Sequence, residues 1–340
     1  MKEAAAPRAA KPALRHEIAA WILAGVALVG VIVVGLLPAL LAGLLVYELV
    51  HVIAPRVRFG RGGAGKAAAV AILAVAVALM LAGLLFAGIA VLHGEGLPRM
   101  LQKMADILDQ SRGKLPDWVL ASLPEDADAW KDMTIRWLHE NATELRHLGG
   151  EVGRIMVHIL IGLVIGAMVS LHEARPAAAG GPLAAAMGER ARRVGEAFRR
   201  VVFAQVRIAA LNAAFTAAYL LAALPLFGIR LPFSKTLVLI TFVGGLVPIV
   251  GNLISNTVIV VMSLSVSLEL ALASLVFLVV VHKLEYFLNA RIVGRGIHAS
   301  AWELLVAMLA MEAAFGMAGL VAAPIYYAYL KDELAARGAI

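Results

Sequence analysis

The sequence predicts an all-α polytopic membrane protein, and two observations predict it. First, 62% of the 340 residues are hydrophobic, only 16% are charged, and the mean hydropathy is +0.88, whereas a soluble domain carries about 45–50% apolar and about 25% charged residues. Second, the apolar residues form long runs. Residues 67–92 hold 26 successive positions without a charge, and about 20 apolar residues suffice for a transmembrane helix. This composition disfavours a soluble enzyme and a DNA-binding module, and the absence of cysteine rules out a disulfide scaffold.

The N-terminal part of the chain is predicted to form a tail and a scaffold of three spans. Residues 1–17 are expected to be a disordered cytoplasmic tail, and residues 18–92 hold the scaffold spans. The stretch 18–54, at 37 residues, is too long for one span. Gly35 and Pro38 at its middle indicate two helices joined by a tight turn. The tail and the loop before the third span are both rich in Lys and Arg, which places them in the cytoplasm by the positive-inside rule.

Residues 93–151 have a different composition, with eleven acidic and seven basic residues. Their apolar residues recur at helical spacing, which predicts a small helical extracytoplasmic insert. Its apolar faces are expected to pack on each other or on the bilayer surface. A domain that senses a ligand or binds a partner is the alternative interpretation.

The remaining chain is predicted to contain two helical hairpins. Residues 152–200 hold the fourth span and an Arg-rich cytoplasmic helix, residues 201–330 form a core, and residues 331–340 are a cytoplasmic tail. Within the core, the apolar stretches 236–267 and 302–330 are each broken by Gly and Pro. Each stretch forms either two short spans or a re-entrant hairpin, and the placement of Lys and Arg favours hairpins. The total is about eight membrane segments.

The core carries one pattern twice. A span followed by a broken hairpin occurs in 201–267 and again in 270–330, with opposite predicted orientation. Inverted repeats with interrupted helices indicate the binding site of a secondary transporter. A broken helix frees backbone groups that lipid cannot satisfy but that water or a solute can. Close helix packing at the glycines is the alternative, but the paired pattern favours a transport core.

Several core residues are candidates for a solute or ion pathway. Glu312 lies in the middle of its apolar stretch, where an ionised carboxylate costs roughly 2.5–3.5 kcal/mol. It therefore pairs, faces water or takes up a proton, as in a proton-coupled carrier; a single interhelical hydrogen bond is the alternative. Asn252 and Asn256 are one helical turn apart and either face a polar solute or link helices. The other candidates lie at the breaks or at the end of the intervening span: Gly244, Gly245, Pro248, Gly251, Gly316, Gly319, Pro324 and Glu285.

The sequence predicts no catalytic, cofactor or metal chemistry. Residues 60–67 match the spacing of a phosphate-binding loop up to Lys66, but Ala67 stands where Ser or Thr would hold magnesium. The nine histidines show no metal-ligand spacing. We therefore predict no enzyme activity, no cofactor, no metal site and no nucleic-acid partner.

Three segments of the core resemble a known family. Residues 244–251, GGLVPIVG, resemble the Pro-x-x-Gly hairpin of the autoinducer-2 exporter family of PerM-like permeases. Residues 282–294, HKLEYFLNARIVG, resemble its Glu-containing span end, and residues 316–324, GMAGLVAAP, resemble its closing segment. The resemblance implies about eight membrane segments, an extracytoplasmic insert and a homo-oligomer, and it adds Asn289 to the pathway residues. Roles in this family range from quorum-signal export to cation/proton antiport, so the resemblance leaves the cargo open.

The sequence thus predicts an ion-gradient-coupled secondary transporter of the bacterial inner membrane, with both termini in the cytoplasm. Its expected partners are the lipid bilayer, a small polar solute and/or H⁺ or Na⁺, and further copies of itself. The solute is expected to cross by alternating access, with Glu312 taking up the coupling ion. A Na⁺/H⁺ antiporter is the second interpretation. A non-transporting membrane scaffold or sensor that uses residues 93–151 is the third.

Overall fold

The computed structural model describes residues 14–57, 63–93, 139–172, 181–246, 250–297 and 300–339, together with positions 133, 136 and 137. Every regular element in these ranges is a helix. In chain order the helices are α1 (Leu14–Val33), α2 (Leu37–Ile53), α3 (Gly63–His93), α4 (Ala142–His172), α5 (Pro182–Ala217), α6 (Ser234–Gly245), α7 (Val250–Leu264), α8 (Leu268–Ile297) and α9 (Ala301–Ala336). Helix α5 continues through a π-helical turn, Ala218–Ala223, into Leu224–Leu226.

The helices confirm the predicted all-α membrane fold. Four of those described, α1, α4, α5 and α9, are long and apolar enough to cross a bilayer, and shorter apolar helices accompany them. Most of the predicted insert, 93–151, lies outside the described residues. The 37-residue stretch 18–54 is divided by a turn at Gly35, whose φ of 76° suits glycine. Pro38 lies in the first turn of the helix that follows.

The chain divides into two compact units. The first, unit 1, combines Met1–Leu73, Ile155–Arg200 and Ile297–Ile340, and the second, unit 2, combines Ala74–Arg154 and Val201–Gly296. Each of the two predicted hairpins lies within one unit: the α6–α7 hairpin in unit 2 and the α9 hairpin in unit 1.

In unit 1, helices α2 and α4 cross at a contact that only glycine permits. A Cβ atom on Gly162 would overlap the carbonyl oxygen of Ala39, and one on Gly166 would overlap that of Gly43. Two glycines four residues apart let the two backbones touch, as in the small-residue interfaces of membrane helices. The contact brings Leu163 beside a small apolar cluster that contains Val50 and Ala69 among its buried members.

Unit 1 also contains a buried ionic cluster, which consists of Glu333, Arg190, Arg193 and Trp21. Glu333, only 2% exposed, accepts hydrogen bonds on Oε2 from Trp21 Nε1 at 3.0 Å and from Arg193 Nη1 at 2.8 Å. Arg190 Nε lies 3.8 Å from Glu333 Oε1. Both side chains of this last pair are buried, and Arg190 has a second, longer contact with Glu17 at 3.9 Å, so removing Glu333 would leave a poorly compensated buried charge. The cluster ties the end of α9 to α1 and α5.

Candidate functional site

The α6–α7 hairpin closes more tightly than side chains would permit. A Cβ atom on Gly251 would overlap the carbonyl oxygen of Gly244, and one on Gly244 would lie 2.8 Å from the carbonyl oxygen of Gly251. Both glycines thus allow the two arms to touch backbone to backbone near the tip. The broken helix leaves backbone carbonyls without helical partners. Gln205 of α5 satisfies one of them, because its Nε2 donates to the carbonyl oxygen of Gly245 at 2.6 Å.

A polar cleft lies beside this hairpin within unit 2. Its cavity volume is about 10 Å³, which is room for about one water molecule. Four elements contribute to its lining: α5, both arms of the hairpin, and α8. The lining residues are Asn212, Thr216, Thr241, Asn252, Asn256, Leu278, Val281 and His282.

The cleft offers unused hydrogen-bonding groups in an apolar region. Asn212 and Thr216 are 5% and 2% exposed, and neither they nor Asn256 hydrogen-bond to another described residue. Thr241 donates its hydroxyl proton to the carbonyl oxygen of Leu237 at 2.9 Å, which leaves its oxygen free to accept. Asn252, in contrast, already interacts with another residue. The polar side-chain atoms of Asn212, Thr216 and Asn256 are not among the buried unsatisfied atoms of the described residues, so these groups border the open space of the cleft.

The lining carries no Asp, Glu, Lys or Arg among the residues that the structure describes. Each side-chain amide has one oxygen that accepts hydrogen bonds and two N–H groups that donate them, and each hydroxyl can both donate and accept. Such a site suits a neutral polar molecule, or a cation that accepts oxygen ligands. A bare anion would meet few fixed positive charges there.

The second predicted hairpin is formed by α9, which reverses direction at Gly316. This residue has φ 61° and ψ −146°, a conformation that glycine accepts and other residues rarely adopt. A Cβ atom on Gly319 would overlap the carbonyl oxygen of Met311, so the arms pack closely beside the turn. At the open end, Lys331 Nζ lies 2.6 Å from Glu303 Oε2. The two ends of the α9 hairpin therefore lie on the same side of it.

Glu312 lies on the outer face of the first α9 arm. Its side chain is exposed, and it shares this face with the exposed Leu305 and Leu309. No hydrogen bond or ion pair joins it to another described residue. A carboxylate in this apolar setting is costly when ionised, which is the feature that singled it out in the sequence.

The structure brings some predicted site residues together and separates others. Asn252 and Asn256 meet at the cleft, with Gly244, Gly245 and Gly251 at the adjoining hairpin tip. The α9 hairpin of unit 1 holds Glu312, Gly316, Gly319 and Pro324. Pro248 lies outside the described residues, as do the side chains of Glu285 and Asn289, although the backbone of the latter two continues α8.

Sequence reasoning did not single out Asn212, Thr216, Thr241 and His282 as site residues. The first two are four residues apart in an otherwise apolar stretch, and this spacing places both on one helix face. This spacing of two polar residues could have identified Asn212 and Thr216 as candidates from the sequence alone. Thr241 and His282 reach the cleft only through the folding of the hairpin against α8, which no local pattern reveals.

The fold and the two hairpins define a class: a polytopic α-helical membrane protein with a polar cleft beside a broken helix. The chain matches the family model of the AI-2E family transporter over residues 17–336. It therefore belongs to this transporter family, and the predicted resemblance is confirmed. No curated protein and no solved structure matches it.

Proposed function

We propose that this protein is a secondary transporter that binds a small polar solute in the unit 2 cleft and moves it across the membrane by alternating access. The observation that carries the proposal is the set of unpaired polar groups on Asn212, Thr216 and Asn256. Such groups can form hydrogen bonds with water or with a polar solute that enters the cleft. The broken α6–α7 hairpin beside the cleft supplies the irregular backbone that is typical of transporter sites.

We infer that an ion gradient drives this transport, since no complete nucleotide-binding motif is found in the sequence. Glu312 is the proposed coupling group. Its carboxylate lies on an apolar face, where an ionised group without a counter-charge is costly. The proposed setting is the bacterial inner membrane, with both termini in the cytoplasm and several copies of the chain assembled together. The Lys- and Arg-rich segments at the N-terminus and before α3 support that orientation.

Flux measurements in proteoliposomes test the proposal. Wild type, Asn256→Ala, Asn212→Ala and the matched control Thr257→Ala are compared, with autoinducer-2 or Na⁺ supplied in turn. Thr257 follows Asn256 directly but is exposed, and its hydroxyl donates to the carbonyl oxygen of Leu253 at 2.8 Å. Loss of one solute hydrogen bond predicts a fall in uptake of about tenfold in each Asn variant. The control should match wild type.

Two results would contradict the proposal. Equal fluxes in all four proteins would remove the cleft from the pathway, and no flux in folded wild type with either probe would reject the carrier. Na⁺-driven proton flux without an organic solute would instead indicate the antiporter. Glu312→Gln is expected to abolish proton coupling while leaving the protein folded, and unchanged proton flux would reduce Glu312 to a structural role.

A further inference from the structure

Unit 2 contains a second set of polar groups besides the cleft. The Tyr219 hydroxyl lies 3.0 Å from Ser274 Oγ, and Ser274 Oγ lies 2.7 Å from Ser263 Oγ. Ser263 in turn donates to the carbonyl oxygen of Ile259 at 2.8 Å. Tyr219 also stacks on Phe277, with ring centroids 4.0 Å apart. We call Tyr219, Ser263 and Ser274 the hydroxyl triad.

An apolar layer lies between the cleft and the hydroxyl triad along α7 and α8. Along α7 the order is Asn256, Ile259 and Ser263, and along α8 it is His282, Leu278 and Ser274. Each set is spaced by three or four residues, so its members follow one helix face. Leu220 lies four residues after Thr216 in the continuation of α5, and Leu237 lies four residues before Thr241 on α6. All four members of the layer belong to one core cluster and are between 1% and 5% exposed: Leu220, Leu237, Ile259 and Leu278.

This layer is a barrier to polar molecules. A solute or ion that passes between four tightly packed aliphatic side chains must give up its hydration without gaining hydrogen bonds. Apolar constrictions of this kind close channels by excluding water. The cleft and the hydroxyl triad are therefore two polar regions with a closed apolar layer between them.

We propose that Leu220, Leu237, Ile259 and Leu278 form the closed gate of the transport pathway. This inference rests on the proposed function, in which the cleft carries the solute. The π-helical turn of α5 places a movable element at the gate, because it contains both Leu220 and Tyr219. Such turns are rare and concentrate at functional sites. Relaxation of this turn to α-helix would rotate Leu220 by about 100° relative to α8 and open the layer.

The gate is tested by making it polar and measuring leak. Leu278→Ser and Ile259→Ser alter the layer from two different helices, and Leu275→Ser is the control because Leu275 is exposed on the outer face of α8. Proteoliposomes are probed with glycerol, by stopped-flow swelling, and with ²²Na⁺. We expect both gate variants to raise leak of at least one probe about tenfold over wild type, and the control to remain at the wild-type level.

Size-exclusion profiles and helical circular dichroism establish that each variant is folded. A further variant, Leu278→Phe, keeps the layer apolar and should not leak. Absence of leak in both folded serine variants, or equal leak in Leu275→Ser, would overturn the gate. The gate and the proposed solute site can be rejected independently of each other. If the gate variants leak but Asn256→Ala leaves the flux unchanged, the gate is retained and the solute site is rejected.

Discussion

The two hairpins share a backbone design but differ in the chemistry around them. Each hairpin turns beside a glycine. In each, the arms lie so close together that a Cβ atom added to a glycine, Gly251 or Gly319, would overlap the backbone of the opposite arm. The α6–α7 hairpin borders neutral amides and hydroxyls, several of them unpaired. The α9 hairpin is held by charges, through the Glu303–Lys331 ion pair and the buried ionic cluster at Glu333. The comparison teaches that unit 1 concentrates charged groups, of which Arg190 Nε, Arg200 Nε and Glu333 Oε1 lack hydrogen-bond partners among the described residues, whereas unit 2 lines its cleft with neutral amides and hydroxyls.

The largest expected effect is on the tip of the α6–α7 hairpin. Gly251→Leu places a side chain where the Gly244 carbonyl oxygen lies, and backbone cannot move aside as a flexible side chain can. We expect destabilisation of more than about 3 kcal/mol, seen as a lower thermal midpoint in detergent or loss of folded protein. Gly153→Leu is the control, because no atom lies within 4 Å of its Cβ position. Similar midpoints for the two variants would contradict this close packing.

The next effect distinguishes the two units directly. Glu333→Ala should destabilise the protein by about 3–5 kcal/mol, because Arg190 and Arg193 lose the carboxylate they share and the buried Arg190 keeps only its 3.9 Å contact with Glu17. Glu196→Ala removes a more exposed carboxylate that pairs with Arg192, and should cost less than about 1 kcal/mol. Asn256→Ala should lower transport but hardly change the thermal midpoint. If Asn256→Ala and Glu333→Ala destabilised equally, the contrast between a structural and a functional polar set would fail.

Gln205→Leu tests whether the hairpin carbonyl needs its side-chain donor. The variant keeps the volume but leaves the Gly245 carbonyl oxygen without the 2.6 Å hydrogen bond. We expect a loss of about 1–3 kcal/mol in unfolding free energy, the cost of an unsatisfied buried acceptor. Thr257→Ala removes an exposed hydrogen bond and should stay within about 0.5 kcal/mol. A neutral Gln205→Leu would show that another group satisfies the carbonyl.

The smallest effect concerns acid sensitivity of the Arg-rich segment. The Arg192 guanidinium hydrogen-bonds to the Glu189 carboxylate and lowers its pKa, against a smaller opposing effect of desolvation. A lowered folded-state pKa contributes stability above the unfolded pKa, and this contribution is lost as the pH falls through the folded value. Glu189→Gln should therefore reduce the thermal midpoint slightly at neutral pH and not at low pH. An equal difference at both pH values would contradict this assignment.

The sequence foretells the hairpins better than it foretells what surrounds them. Gly316 and the Gly244–Gly251 pair interrupt apolar stretches, so the breaks are visible in one dimension. Thr241 and His282 carry no such mark, because their place at the cleft depends on how α6 and α8 fold against each other. In the sequence, Glu333 resembles a solvent-exposed residue of a charged segment. Its partners Trp21 and Arg193 lie far away in the sequence, so no local pattern reveals its burial.

One measurement tests the central claim most directly: whether water reaches Asn256. The natural chain has no cysteine, so Asn256→Cys introduces a single thiol into an unaltered background. In proteoliposomes, a membrane-impermeant maleimide should label Asn256→Cys at least about tenfold faster than Ile254→Cys, because only a water-exposed thiol ionises readily. Ile254 is 55% exposed on α7 and is expected to face lipid. Labelling of Asn256→Cys as slow as that of Ile254→Cys, in folded protein, would contradict a polar pathway through unit 2.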